Sequence, residues 1–419
     1  MVLFRSGKAL RYPRRPTLPI VRRKLPMRYH MRHQFGVRDL AFLQTMHALT
    51  GAAMIPGNRI DVLRNGVQIF PSMLAAVRAA RKTIDLEFYI YWDGEIGRTF
   101  AQTLAERARA GVEVKVILDA IGSAKMSGDL IEFMRRNGID IEWYHPVRWY
   151  TLSRANHRTH RKLLIVDGEV GFTGGVGIAD EWLGDADGPN HWRETQVRVE
   201  GPAVTQMQFA FMDNWVKSRG EILTGLNYFP QLEPRGEHLA QVIKSSPAEG
   251  SSTVKLLYII SIVSAVRSIY INNAYFIPDS DTIRALEGAV RRGVDVKVIV
   301  PGEFTDVPIV RQASRWHYEM LLRKGIRMHE YEKTMMHAKT MVVDGIWSTI
   351  GSSNFDDRSF RLNDEVNVNI YDEGIAATME AMFEDDLAHS REISLGRWYK
   401  RPALSRLKEN FADLFKRQL

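Results

Sequence analysis

The feature that most limits how this chain can fold is an internal repeat. The stretch HRKLLIVDGEVGFTGGVGIADEW, beginning at His160, aligns without a gap on HAKTMVVDGIWSTIGSSNFDDRS, beginning at His337. The likeness continues upstream: RAGVEVKVILD (109–119) matches RRGVDVKVIVP (291–301), and RRNGIDIEWY (135–144) matches LRKGIRMHEY (322–331). Further back, RKTIDLEFYI (81–90) answers VRSIYINNAYF (266–276). A chain of 419 residues written twice in this way must build the same supersecondary unit twice. Each half reads strand, helix, strand, helix, strand, then the motif strand. The helices are placed over 97–110, with Phe100, Leu104 and Ala108 on one stripe, and over 281–292, with Ile283, Leu286 and Val290. Short apolar strands alternating with helices predict an α/β fold: two lobes related by a pseudo-twofold axis, each a mainly parallel sheet flanked by helices, with one site at their interface. The expected boundaries are a basic flexible arm over 1–36, a first lobe over 37–228, a second over 229–395, and a basic amphipathic helix over 396–419.

The termini carry the charge. Residues 1–36 hold ten Lys or Arg and no Asp or Glu, leaving 47 basic against 49 acidic residues in the remainder. Pro13, Pro16, Pro19 and Pro26 argue against a continuous helix there. Such an arm suits a tether to anionic lipid or nucleic acid, a poor transit peptide, or a tail with no task. At the other end, Leu404, Leu407, Phe411, Leu414 and Phe415 fall at helical spacing between Arg406, Lys408, Lys416 and Arg417, a pattern for a membrane surface or a cap on the second lobe. The longest apolar run, 256–266, is one core helix long and too short to span a bilayer. Cysteine is absent, so thiolate metal sites, disulfides and a cysteine nucleophile are excluded.

The chemistry sits where the repeated strands begin. Residues two apart in a strand share a face, so His160 points with Lys162 and His337 with Lys339. Asp167 lies seven residues beyond its His, roughly 23 Å along an extended strand, too far for contact. Asp167 and Asp344 are therefore expected to fix the Asp-Gly turns that follow. A carboxylate for each imidazole must come from elsewhere. NHWRETQVRVEGP and RLNDEVNVNIY place Glu194 and Glu365 at corresponding strand starts, allowing for an insertion near 183–190. Each is expected to accept from an imidazole Nδ1 and leave Nε2 free, unless it is an ordinary strand-end charge. Two His, two Lys and two Glu meeting at a symmetric seam make one anion site with duplicated tools. One His attacks phosphorus and the other protonates the leaving oxygen, with the lysines, Ser352 and Asn354 on the phosphate. His157 and His160 are close enough to suggest a metal, but nothing supplies further ligands and Arg161 and Lys162 repel a cation, so no metal is expected. The loop 145–156, containing RWYTLSR, reads as a lid or as an interface element.

The paired HRKLLIVD and HAKTMVVD, with GSSNFDDRSFRLNDE after the second, resemble the phospholipase D superfamily. Beyond them, LTGAAMIPGNRIDVLRNGVQIFPSMLAAV, LEFYIYWDGEIG, LDAIGS, GGVGIADEWLG, WRETQVRVEGPAV and NAYFIPD resemble its bacterial cardiolipin synthase branch. The likeness spans about residues 49–400. It implies two phospholipase D-like lobes, no cofactor and no metal, and transfer of a phosphatidyl group between two phosphatidylglycerols, anionic phospholipids, to give cardiolipin and glycerol. It also implies nucleophile and acid/base roles for His160 and His337. The chain departs from the branch in having Gly177 where the first motif usually has Asn. The pair of N-terminal transmembrane helices common in the branch has no counterpart, which leads to an expected peripheral attachment to the cytoplasmic face of a bacterial inner membrane. The alternatives are a hydrolytic phospholipase D or nuclease using the same site, and a non-catalytic lipid-binding scaffold. No nucleic-acid partner is expected; oligomeric state is not legible.

Overall fold

Apolar runs punctuated by Gly, Asp and Asn set the strand positions, and the same element order occurs twice. After α1 (Leu40–Thr50), the first half runs β1 (Ile55–Arg64), α2 (Asn65–Ala79), β2 (Thr83–Phe88), α3 (Glu95–Arg109), β3 (Glu113–Asp119), α4 (Gly128–Arg136), β4 (Asp140–Tyr144), the two-residue β5 (Arg158–Thr159), β6 (Lys162–Val166), β7 (Val170–Gly174), β8 (Thr195–Glu200) and α5 (Val204–Arg219). The second half follows with β9 (His238–Ser245), α6 (Thr253–Ser264), β10 (Ser268–Asn273), α7 (Ser280–Arg291), β11 (Asp295–Pro301), α8 (Pro308–Arg323), β12 (Arg327–Tyr331), β13 (Lys339–Val343), β14 (Trp347–Gly351), α9 (Asp357–Arg361), β15 (Asn363–Tyr371), α10 (Glu373–Ala388), β16 (Ser390–Glu392) and α11 (Leu395–Tyr399). This computed structural model describes residue 29 and residues 31–146, 156–246, 253–402 and 408–412. The expectations for the basic arm, for RWYTLSR, and for Leu404, Leu407, Leu414 and Phe415 therefore lie outside the described residues, apart from the last few positions of the arm.

The strands of both halves join one sheet, in the order β16-β12-β11-β10-β13-β14-β15-β9-β1-β8-β7-β6-β2-β3-β4. Read outward from the β9–β1 seam, β1, β8, β7, β6, β2, β3, β4 on one side correspond position by position to β9, β15, β14, β13, β10, β11, β12 on the other. The parallel character expected from the alternation with helices is found in β2-β3-β4 and β10-β11-β12, and outside that order the two-residue β5 pairs parallel with β15. The motif strands β6 and β13 add antiparallel, because short Asp-Gly turns rather than helices connect them to β7 and β14. Instead of two separate sheets, the lobes share one.

Both faces of this sheet are covered, which is why β6 and β13 are buried at every residue. In β6, Leu164 and Val166 enter the core under α2, α3 and α4, whereas Leu163 and Ile165 enter the core shared with α5 and α10. In β13, Met341 and Val343 pack with α6, α7 and α8, and Val342 faces the shared core. Alternation with both faces buried reads as an unbroken apolar run. The run 256–266 falls largely within α6, which is buried almost throughout. No helix among the described residues is long and apolar enough to cross a membrane.

Asp167 and Asp344 have a structural role, though a different one from that expected. Both adopt positive φ, 54° and 53°, at the head of the hairpin turns. Their carboxylates reach back to the strand before. Asp167 accepts from the amides of Arg81, Lys82 and Thr83 at the start of β2, and Asp344 from those of Val266, Arg267 and Ser268 at the start of β10. Each therefore pins a motif hairpin to the neighbouring parallel strand.

A candidate active site at the seam of the two halves

The site forms because each motif histidine is held by the opposite half. The His160 amide donates to the Asp364 carbonyl at 2.8 Å, and β5 pairs with Asn363 and Asp364 of β15. Symmetrically, the His337 amide donates to the Arg193 carbonyl at 2.9 Å, and the Arg193 amide to Met335. The carboxylates follow the same crossing. His160 Nδ1 lies 3.1 and 3.2 Å from the oxygens of Glu365, and His337 Nδ1 lies 2.7 Å from Glu194 Oε2. Each Glu thus meets Nδ1 of the imidazole of the other half rather than of its own.

Two buried arginines beside these residues reinforce the seam, and sequence reasoning missed both. Arg193 makes a bidentate pair with Asp386 at 2.7 and 2.8 Å, and Asp386 also accepts from Asn272 at 2.9 Å. Arg161 donates to Asp213, to the Ala210 carbonyl and, across the seam, to the Ser245 carbonyl. Asp386 sits on a helix with no motif around it, so nothing local in the sequence marks it. Arg161 and Arg193 each adjoin a site residue, and that adjacency was the available signal.

His160, Lys162, His337 and Asn354 line one cavity of about 480 Å³, and Gly177 lies in its wall. Its apolar lining includes Trp92, Trp182, Trp192, Ile90 and Ile121. Its polar lining includes Tyr275, Asp306, Asp356, Arg358 and Asn363. Asp306, whose carboxylate accepts from Tyr275 Oη, is a pocket acid for which the repeat offered no counterpart, since Ala124 stands at the matching position. Lys162 Nζ donates to the His160 carbonyl at 2.7 Å. Lys339 stands behind His337, its Nζ 3.0 and 3.1 Å from the two ring nitrogens. Ser352, expected on the phosphate, is fully buried and donates through Oγ to Glu365 instead. Asn354 keeps its place in the wall, with a buried Oδ1 that has no hydrogen-bond partner. Among the described residues no group of three His, Cys, Asp or Glu is placed to hold a metal ion. His157 lies just before β5, and its carbonyl accepts from Arg158 Nε at 2.8 Å.

Burial dominates the electrostatics. It pushes the His160 imidazole down to about 4 against the opposing pull of Glu365, and holds His337 well below the usual histidine range with help from Lys339. Both rings are neutral at pH 7. Burial likewise lowers Lys162 strongly and brings Lys339 down to about 8. The two glutamates diverge. Burial raises Glu194 to about 7, while at Glu365 the His160 ring, Lys162 and Ser352 outweigh burial and keep the carboxyl below its ordinary value.

A family profile described as "Cardiolipin synthase, PLD-like domain" matches residues 73–215 and 258–387, one segment in each half. The cardiolipin synthase of Geobacillus kaustophilus (strain HTA426) is 37% identical over 399 residues, covering 94% of this chain and 78% of that protein. The chain belongs to the cardiolipin synthase family. The family's enzymes are phospholipase D-type phosphatidyltransferases acting on phospholipids, and this chain repeats the His, Lys and Asp of HRKLLIVD in HAKTMVVD. The major cardiolipin synthase ClsA of Bacillus subtilis (strain 168) is 34% identical over 389 residues, with 92% of this chain and 80% of that protein covered. Among solved structures, the phosphatidylserine synthase of Haemophilus influenzae Rd KW20 superposes with a TM-score of 0.68 at 13% identity, over 90% of this chain and 99% of that one. At that identity the likeness speaks for the two-lobed phospholipase D fold alone.

Proposed function

We propose that this enzyme joins two phosphatidylglycerol molecules at the cytoplasmic surface of a bacterial inner membrane, releasing glycerol and forming cardiolipin. One observation carries the reading: two imidazoles line a single cavity, each with a glutamate of the opposite half at its Nδ1. His160 Nε2, whose lone pair is free at neutral pH, attacks phosphorus of the first phosphatidylglycerol, and the P–O bond to the glycerol headgroup breaks. The leaving oxygen takes the Nε2 proton of His337 while Glu194, raised to about 7 and so able to carry a proton, supplies one to Nδ1. The result is a phosphohistidine on His160 and free glycerol. A terminal hydroxyl of the second phosphatidylglycerol then gives its proton to His337 Nε2 as its oxygen attacks phosphorus, the Nδ1 proton returns to Glu194, and the P–N bond breaks to restore His160. Lys162 and Asn354 contact the phosphate from the wall, and Lys339 adds charge from behind His337. An anionic phosphate in the cavity returns Lys162 to its charged form. Glu365 stabilises the positive charge that His160 bears when phosphorylated.

The test is mass spectrometry of products from vesicles of phosphatidylglycerol and phosphatidylethanolamine, with a labelled oligonucleotide in parallel. Cardiolipin with glycerol is the expected outcome. Phosphatidic acid alone replaces transfer by hydrolysis, and cleaved oligonucleotide replaces the lipid reading by a nuclease. Acid-labile, base-stable label retained by His337→Ala and lost in His160→Ala is the pattern expected of a phosphohistidine on His160, and the reverse pattern assigns the nucleophile to His337.

A further inference from the structure

The repeat is broken at its most sensitive place. In the second half Ser352 donates to Glu365 and Asn354 faces the cavity; their counterparts in the first half are Gly175 and Gly177. A side chain is impossible at either glycine as the site stands. A Cβ on Gly175 would lie 2.5 Å from Glu194 Oε2, and one on Gly177 would lie 2.8 and 2.9 Å from the Trp182 ring. Trp182 is almost fully buried, and its indole Nε1 donates to Glu194 Oε2 at 3.3 Å. The same oxygen lies 2.7 Å from His337 Nδ1, and the His337 ring lies edge to face with that of Trp182 at 5.1 Å. Trp192 packs edge to face on Trp182 at 4.4 Å and reaches the same imidazole at 5.5 Å.

We propose that Trp182 is a positioning residue for the Glu194–His337 pair: it gives Glu194 the hydrogen bond that Ser352 gives Glu365, and its ring fills the space that Asn354 occupies in the other half. The two halves of the site are therefore built for unequal tasks. Only the second half offers an amide side chain to the phosphate. The first half offers a rigid wall that confines the His337 imidazole, as suits a proton carrier that must keep one orientation through both steps.

The proposal rests on phosphodiester transfer at this site, and its test is chosen to stand apart from the lipid reading. Trp182→Phe keeps a ring but removes the donor, and Gly177→Asn adds the missing amide. Each variant and the pair are followed by histidine nitrogen NMR titration, by thermal unfolding, and by turnover of bis(p-nitrophenyl) phosphate and of phosphatidylglycerol vesicles. In W182F the loss of a donor to the carboxylate moves the Glu194–His337 titration to higher pH, and kcat falls roughly tenfold with KM changed much less. G177N alone drives its side chain into the indole and is the more damaging single change. In W182F the same substitution finds room, so G177N/W182F is more active than G177N. An unmoved titration in W182F, or damage from the two substitutions that simply adds while activity follows thermal stability, overturns the proposal. Cleavage of the diester without conversion of phosphatidylglycerol overturns the lipid reading and leaves the role of Trp182 to be read from the diester. If neither probe turns over, the titration alone decides it.

Discussion

The crossing of glutamates between halves makes a prediction that ordinary motif logic reverses. Glu365→Gln preserves volume and an acceptor for His160 Nδ1 but removes the charge that lies 3.1 Å from that nitrogen. Attack on phosphorus turns a neutral ring into a cation, and the carboxylate stabilises that change. Two charges about 4 Å apart at an effective dielectric of about 20 attract by about 4 kcal/mol, an upper bound here. The difference between a charge-assisted and a neutral hydrogen bond is about 1–2 kcal/mol, a lower one. A loss of about 2–3 kcal/mol, roughly 30- to 150-fold in the rate of phosphoenzyme formation, follows. The fold should tolerate the change, because a neutral amide costs less to bury than a charged carboxylate. Since Glu365 also lifts the His160 pKa, E365Q should lower it further below its value of about 4. The assay is rapid quench with phosphorus-labelled phosphatidylglycerol, measuring the labelled enzyme before product appears. The crossed arrangement is refuted if E365Q forms phosphoenzyme at the wild-type rate while Glu194→Gln alone slows that step.

Three further outcomes follow from the seam and the core. Asp386→Ala strips the partner from Arg193 and leaves a buried charge unpaired, which should destabilise the fold by about 3–5 kcal/mol in denaturant unfolding. Asp167→Ala and Asp344→Ala each orphan three backbone donors and should cost about 1–3 kcal/mol while leaving kcat near wild type below the unfolding transition, a combination that a catalytic aspartate would not show. Buried Asp85 is raised from 3.8 to about 7 by desolvation, so its contribution to stability is present below the unfolded value and lost as pH rises through 7. Asp85→Asn should therefore raise the unfolding free energy by about 2 kcal/mol at pH 8 and change it little near pH 4, measured by urea titration at both pH values.

Much of the site was legible because its signals are local. Strand alternation placed His160 with Lys162 and His337 with Lys339, and the rise of a strand ruled out Asp167 and Asp344 as partners of the imidazoles. The repeat itself announced two equivalent units, and it located Glu194 and Glu365 by their matching positions. What no local pattern carries is which equivalent unit meets which. His160 and Glu365 are 205 positions apart, and their contact exists only because β9 pairs with β1 and joins the halves edge to edge. The same assembly buried Asp386 against Arg193, while pairing of β14 with β15 inside the second half set Ser352 on Glu365. The Gly177 departure, which in the sequence is only a missing asparagine, has its cause in the Trp182 ring five residues on. Sequence by itself determined the repeated unit, its strands and the chemistry of its reactive groups, since these depend on periodicity within a few residues. The tertiary structure alone decided how two copies divide the labour of one site, because that depends on packing across a seam where residues far apart in the chain compete for the same buried space.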